Sequence, residues 1–170
     1  SEAVRGFAGR VYDGRPFAVF CPFTTRPQKH WPQAHCRSLT ETALAQGWRI
    51  VVLSAPADRP VALRIFTGQA VEDKVRVCSL DESAALVSQA SLVIGGYGSD
   101  THGLGLFCAS GRVVWIDLPV SVSARAREPY FYADLHCSPC RRRPTCGGPF
   151  ACISALAPEA AVNAPQRYLY

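Results

Sequence analysis

The sequence predicts a doubly wound α/β fold, in which helices cover both faces of a parallel β-sheet. Its short apolar runs, such as FAVFC at 17–21 and SLVIGG at 91–96, have the length and content of buried strands. Segments with helical spacing of apolar residues alternate with these runs. That alternation is typical of a parallel sheet, and 170 residues suffice for one such domain.

The first half of the chain supplies two strand and helix pairs. FAVFC is the first strand, bounded by Pro22, and a helix is predicted at 32–47 with Leu39, Ala43 and Leu44 on one face. RIVVLS at 49–54 is the second strand. The segment ADRPVALRIFTG at 57–68 predicts a second helix that Pro60 interrupts early.

The middle of the chain continues the pattern. KVRVCS at 74–79 is the third strand, and Ser79 with Glu82 three residues later forms a capping box that starts a third helix. SLVIGG is the fourth strand, THGLGLFCASG at 101–111 a fourth helix, and RVVWIDLP at 112–119 the fifth strand.

After Pro119 the alternation ends, and residues 120–136 are predicted to be irregular. We therefore divide the chain into four parts. Residues 1–16 are predicted to be a linker or lead-in, and 17–136 a Rossmann-like α/β domain. Residues 137–152 form a cysteine-rich metal knuckle, and 153–170 a tail with one short helix.

Composition limits the classes of protein. With 48% hydrophobic and 18% charged residues the chain is globular, and no apolar run reaches the ~18 residues of a membrane span. The N-terminus lacks a secretory signal, so we expect a cytoplasmic protein. Its net charge of +5 favours an anionic ligand over a nucleic-acid track. The chain opens on Ser1 and contains no Met. A cleaved initiator methionine would explain the first fact, and the two facts together also suit a piece of a longer polypeptide.

Polar residues follow the first and fourth strands, at the edge of the sheet where α/β proteins bind ligands. Thr24, Thr25 and Lys29 follow the first strand; glycines and then Asp100 and Thr101 follow the fourth. Glycine-rich backbone, a helix start and a lysine together suit a phosphate. The alternative is a solvated lysine beside glycines that only turn the chain, since neither loop fits the Walker or G-x-G-x-x-G pattern.

The stretch TTRPQKHWP at 24–32 resembles the donor-loop motif of the bacterial heptosyltransferases, the lipopolysaccharide-core and autotransporter enzymes of glycosyltransferase family nine. The segments SLDESAALVSQASLVIGG and SDTHGLGLFCASGRVVWIDLP resemble later parts of that family more loosely. The resemblance implies the C-terminal, donor-binding half of a GT-B glycosyltransferase. Residues 17–136 would be its nucleotide-sugar-binding domain, and residues 1–16 would be a linker from an N-terminal domain that we expect to be missing from this chain.

Residue by residue, the resemblance implies a donor site. Thr24, Thr25 and Lys29 would contact the diphosphate of the donor. Asp100 and Thr101 would hold its phosphate and sugar end, and Asp58 would contact the ribose. Lys29 would neutralise the departing nucleoside diphosphate, so no catalytic Mg²⁺ is expected. His102 stands where the family has glycine; it either donates to phosphate or only caps the helix.

The implied donor is a nucleotide diphosphate sugar, above all ADP-heptose, and the acceptor a lipopolysaccharide or an autotransporter protein. The acceptor site and general base would lie in the N-terminal GT-B domain, so this chain alone would bind donor without turnover. A homo-oligomer is compatible with the sequence. The alternative function is a metal-knuckle module that binds nucleic acid or protein without enzymatic activity, through RRR at 141–143 and the aromatic PYFYADLH at 129–136.

The chain contains eight cysteines in two groups. Cys137, Cys140, Cys146 and Cys152 have the spacing C-x2-C-x5-C-x5-C, which predicts a closed structural metal site. Zinc is the usual ion, and the resemblance to autotransporter heptosyltransferases favours iron; two disulfides or four free thiols are the alternatives. The other group is predicted to be buried thiols: Cys21, Cys36, Cys78 and Cys108.

Trp31 is interpreted as a packing residue. The remaining histidines are interpreted as structural or solvated: His30, His35 and His136.

Overall fold

A computed structural model describes residues 15–24, 29–71, 75–96, 113–116, 130–131 and 150–163. Within these ranges the chain forms six strands and five helices. The strands are β1 (Phe17–Cys21), β2 (Arg49–Leu53), β3 (Val75–Arg76), β4 (Leu92–Gly96), β5 (Val113–Ile116) and β6 (Tyr130–Phe131). The helices are α1 (Gln33–Ala45), α2 (Arg59–Phe66), α3 (Leu80–Gln89), α4 (Ala151–Ser154) and α5 (Pro158–Val162).

The six strands form one parallel sheet in the order β3-β2-β1-β4-β5-β6. Val19 in the middle of β1 pairs with Val51 of β2 on one side and Val93 of β4 on the other. The chain thus runs outward from β1 to β3 and returns to the other side of β1 at β4. The place between β1 and β4 is the topological switch point, where open α/β sheets bind ligands.

Both faces of β1, β2 and β4 are buried, as their apolar sequences predict. Alternate residues of these three strands contribute to two separate core clusters. In β1, Ala18 and Phe20 lie in the cluster with α1, α2, α4 and α5, whereas Phe17, Val19 and Cys21 lie in the cluster with α3. The doubly wound α/β fold is therefore confirmed.

The structure confirms the predicted helix start at Ser79. The Ser79 hydroxyl accepts from the Glu82 backbone N–H at 3.2 Å, and the Glu82 carboxylate accepts from the Ser79 N–H at 2.8 Å. Each hydrogen bond satisfies a backbone donor that the helix itself leaves open. The interruption predicted at Pro60 is wrong, because Pro60 lies in the first turn of α2, where proline fits.

One prediction for the C-terminal part of the chain is wrong. Residues 120–136 are not wholly irregular, because Tyr130–Phe131 adds a sixth parallel strand beside β5. A two-residue strand is too short to show a period-2 pattern. The short helix predicted for the tail is α5, whereas α4 begins before the tail, at Ala151 in the cysteine-rich segment.

The C-terminal helices pack on α1 at the same face of the sheet. Ser38 of α1 donates to the Glu159 carboxylate at 3.3 Å, and the Gln46 side chain donates to the Asn163 side-chain oxygen at 3.0 Å. Cys152, Ile153 and Leu156 are buried in the core cluster of that face. In the part of the chain that the structure describes, no helix has the length and apolar character needed to cross a bilayer.

Candidate functional site

The predicted phosphate-binding lysine lies at the switch point. The lysine loop, defined here as residues 22–30, leaves the carboxyl end of β1 and leads through Trp31 and Pro32 into α1. Thr24 and Lys29 are half-buried, and Thr25 lies outside the described residues. Since α1 begins immediately after this loop, its first-turn N–H groups lie at the same edge of the sheet. No side chain caps them.

A histidine joins the two described parts of the lysine loop. Nε2 of His30 lies 2.6 Å from the backbone oxygen of Thr24, and because a carbonyl can only accept, the ring nitrogen donates. The His30 ring also packs edge-on against Phe23, with ring centroids 5.8 Å apart. Thr24 and Lys29 are thereby held on either side of residues 25–28.

The end of β4 meets the lysine loop directly. A Cβ atom on Gly96 would lie 2.7 Å from Cγ2 of Thr24 and 3.6 Å from the backbone oxygen of Lys29. Only glycine lets the two segments approach this closely without displacement. The structure therefore brings the first predicted loop against the strand that leads into the second. The rest of that second loop, including Asp100, Thr101 and His102, lies outside the described residues.

We expect Gly96→Ala to move the lysine loop. The new methyl group would clash with the Thr24 side chain, and turning that side chain aside is expected to lower the free energy of unfolding by about 1 kcal/mol. Denaturant unfolding of the two proteins measures the change. Gly68→Ala is a poor control because Gly68 has a positive φ of 74°; Ser88→Ala on α3 is a better one. A Gly96→Ala protein as stable as the wild type would contradict this close approach.

Asp58 lies at the same edge of the sheet, in the loop that follows β2. It occupies the N-cap position of α2. Its backbone is helical, and its side chain makes no capping hydrogen bond. A half-buried carboxylate beyond the end of β2 is at the sheet edge where a ribose acceptor is expected.

Trp31 fixes the point where the lysine loop enters α1. The indole is 5% exposed, and its Nε1 donates to the backbone oxygen of Leu156 at 3.2 Å. His35 packs edge-on against it, with ring centroids 5.5 Å apart. The interpretation of Trp31 as a packing residue is confirmed, and its partner lies 125 residues further along the chain.

Outside the cysteine-rich segment, Cys21 and Cys36 are buried as predicted, whereas the prediction for Cys78 is wrong because it lies next to the exposed start of α3 and is half-buried. Burial raises the pKa of Cys21 and of Cys36 to about 12, and Cys78, which is half-buried, has its pKa raised to about 11. All three are therefore neutral thiols at neutral pH, and poor nucleophiles. Cys108 lies outside the described residues.

The proposed metal ligands are only partly described. Cys152 on α4 is 5% exposed and forms no disulfide. No group of three His, Cys, Asp or Glu residues within the described ranges could hold a metal ion. Because Cys137, Cys140 and Cys146 lie outside those ranges, the four-cysteine site stays a prediction.

The family model of glycosyltransferase family 9 (heptosyltransferase) matches residues 2–102 of this chain. The chain belongs to glycosyltransferase family nine. The matched region contains Thr24, Lys29 and Asp58 and ends at His102, so it covers every residue predicted to bind the donor. The cysteine-rich segment lies outside it.

Curated relatives and solved structures show the same similarity. Lipopolysaccharide heptosyltransferase 1 of Salmonella typhimurium is 36% identical over 80 residues, 46% of this chain and 25% of the relative. The protein of the same name from Pseudomonas aeruginosa is 30% identical over 140 residues, 78% of this chain and 38% of the relative. This chain therefore spans well under half the length of these relatives.

The structural neighbours share the fold. The structure of E. coli heptosyltransferase WaaC with ADP has a TM-score of 0.60 at 24% identity and covers 90% of this chain and 44% of that one. E. coli ADP-heptose lps heptosyltransferase II also has a TM-score of 0.60, at 19% identity, covering 79% of this chain and 44% of that one. Both support a GT-B-like α/β architecture.

Two features of the site do not follow from the sequence. His30 is structural, one of the two interpretations given for it, but its partner, the Thr24 carbonyl, is not predicted. The glycines that follow the fourth strand, Gly96 among them, are predicted to be part of a phosphate loop, and the contact with Thr24 shows that Gly96 also gives the lysine loop room. The position of His30, directly after Lys29 and six residues after Thr24, is the signal in the sequence for the first feature.

Proposed function

We propose that this chain is the donor-binding part of a heptosyltransferase and binds ADP-heptose. The observation that carries the proposal is the approach of the lysine loop to the end of β4 at the switch point, inside the region that matches the family. Two structural neighbours, the E. coli ADP-heptose lps heptosyltransferase II and WaaC with ADP, support the choice of nucleotide.

In this proposal Lys29 supplies positive charge where negative charge develops. As the bond between the sugar and the diphosphate breaks, the leaving ADP gains charge on its terminal phosphate, and a fixed ammonium group stabilises that charge. The N-terminal end of α1 adds partial positive charge from N–H groups that no side chain caps. A lysine in this place is the reason that we expect no catalytic Mg²⁺.

The remaining predicted residues complete the donor site. Thr25, Asp100, Thr101 and His102 would contact phosphate and sugar, and Asp58 would accept from a ribose hydroxyl. The general base would come from an N-terminal GT-B domain. The curated relatives reported above are named for lipopolysaccharide, so we favour a lipopolysaccharide acceptor over an autotransporter protein.

Calorimetry tests the proposal on the 170-residue chain. We expect ADP and ADP-heptose to bind with one site per chain and with no release of ADP from ADP-heptose, because the general base in this proposal lies outside these 170 residues. UDP and GDP serve as matched diphosphates with other bases. No binding of any nucleotide diphosphate, together with salt-sensitive binding to arbitrary DNA or RNA, would overturn it in favour of the nucleic-acid alternative.

We also propose that Cys137, Cys140, Cys146 and Cys152 hold one structural ion, iron or else zinc. The buried, disulfide-free state of Cys152 fits a ligand of a closed site. Four thiolates leave no open position, so the ion would order the cysteine-rich segment and take no part in the chemistry. Its binding would stabilise a segment rich in proline, glycine and arginine.

Elemental analysis of protein purified under reducing conditions is expected to give one metal ion per chain. Cys140→Ser should abolish metal binding, whereas Cys78→Ser, which lies outside the cluster of four cysteines, should leave the metal content unchanged. Ferric iron would add a visible thiolate charge-transfer band. A metal-free wild type whose four clustered cysteines are found as disulfides would contradict the site.

A further inference from the structure

A hydrogen bond joins the two described parts of the lysine loop. His30 Nε2 donates to the Thr24 carbonyl over 2.6 Å, between residues six positions apart. His30 directly follows Lys29, the proposed phosphate ligand. Fixing the backbone beside Lys29 reduces the conformations available to this residue, and so reduces the entropy that it loses when it binds a ligand.

Both partners of this hydrogen bond are themselves held by the fold. Thr24 contacts the end of β4 through its Cγ2 atom, at the position where Gly96 has no side chain. His30 is followed by Trp31, whose buried indole bonds to Leu156. The His30 ring also rests on Phe23, at an interplanar angle of 74°. The hydrogen bond therefore links two fixed points and is not a contact between two loose segments.

We propose that His30 is a positioning residue that presets the lysine loop for a diphosphate. It acts through the Thr24 carbonyl, and it needs only a donor at the position of Nε2. This inference rests on the proposed function, since a preset loop matters only if the loop binds phosphate. The proposal predicts that removing the hydrogen-bond donor of His30 weakens diphosphate binding while the fold remains intact.

Two substitutions separate the hydrogen bond from the size and polarity of the side chain. His30→Gln places an amide N–H near the position of Nε2, whereas the shorter His30→Asn cannot reach the Thr24 carbonyl. We expect His30→Asn to weaken ADP binding about five- to tenfold and His30→Gln to stay within about twofold of the wild type. The effect on adenosine binding should be small in both, because adenosine lacks the diphosphate.

His35→Phe provides the matched control. His35 is a second histidine beside Trp31, and its buried Nδ1 has no hydrogen-bond partner. Replacing it removes an imidazole close to the loop without removing the bond to Thr24. Its ADP affinity should equal that of the wild type.

Hydrogen exchange gives a readout that does not depend on a ligand. Without nucleotide, amides of residues 24–30 should exchange faster in His30→Asn than in His30→Gln, while peptides from the β-sheet exchange alike. Equal ADP affinity in the wild type, His30→Gln and His30→Asn would overturn the role of His30 and leave the proposed function standing. A wild type that fails to bind ADP would overturn both. A parallel loss of ADP and adenosine binding with general destabilisation would assign His30 to stability alone.

Discussion

Replacing Lys29 with alanine is expected to weaken ADP binding by about 1.5 to 3 kcal/mol, or roughly 10- to 150-fold, the range for a hydrogen bond to a charged group. Lys29 is half-buried beside the end of β4, where its backbone oxygen would lie 3.6 Å from a Cβ on Gly96. A charge held at a partly desolvated edge interacts more strongly with phosphate than a charge on a mobile surface side chain. Calorimetry with ADP measures the loss.

A matched control separates a local contact from net charge. Arg64→Ala removes one positive charge from the exposed last turn of α2 and should leave the ADP affinity unchanged. Lys29→Arg should recover only part of the affinity, since the planar guanidinium replaces a compact point charge. Equal ADP affinity in Lys29→Ala and the wild type would remove Lys29 from the diphosphate site.

The sheet could be predicted from the sequence because its signals are local. FAVFC, RIVVL and LVIGG are continuous apolar runs, and each became a buried strand with little change in its bounds. The capping box at Ser79 likewise depends on residues only three apart. These signals determine which residues enter the sheet, and with the alternation of helices they determine the fold class.

The candidate site could be predicted only in part. The order of the strands places the lysine loop beside the end of β4, so the neighbourhood of Lys29 followed from the fold class. The contact between Gly96 and Thr24 did not, because it depends on how closely two backbones approach. Tyr130–Phe131 was missed for a related reason: a two-residue strand exists only through its pairing with β5.

The contact of Trp31 with Leu156 is a second case that no local pattern predicts, since the two residues are 125 positions apart. Its consequence is that the C-terminal helices and the lysine loop share one support. Trp31 lies between Lys29 and α1, and Leu156 lies between α4 and α5. Replacing the Trp31 indole should therefore affect both the lysine loop and the C-terminal helices.

Trp31→Ala is expected to lower the free energy of unfolding by about 3 to 5 kcal/mol, the range for removing a buried large aromatic side chain. Trp31→Phe keeps most of the packing but removes the Nε1 donor and leaves the Leu156 carbonyl without that partner. Its cost should be about 1 to 3 kcal/mol. Denaturant unfolding measures both values.

The half-buried Trp48 provides the control, because Trp48→Phe makes the same chemical change at the edge of the same core cluster. If the hydrogen bond to Leu156 supports the lysine loop, Trp31→Phe should also weaken ADP binding. It should also speed hydrogen exchange in residues 150–163. Trp48→Phe should have neither effect. A Trp31→Phe protein with wild-type stability and wild-type exchange would show that the indole contributes only its volume. The two helices after Phe150 would then be held by their core packing and by the hydrogen bonds of Glu159 and Asn163 to α1.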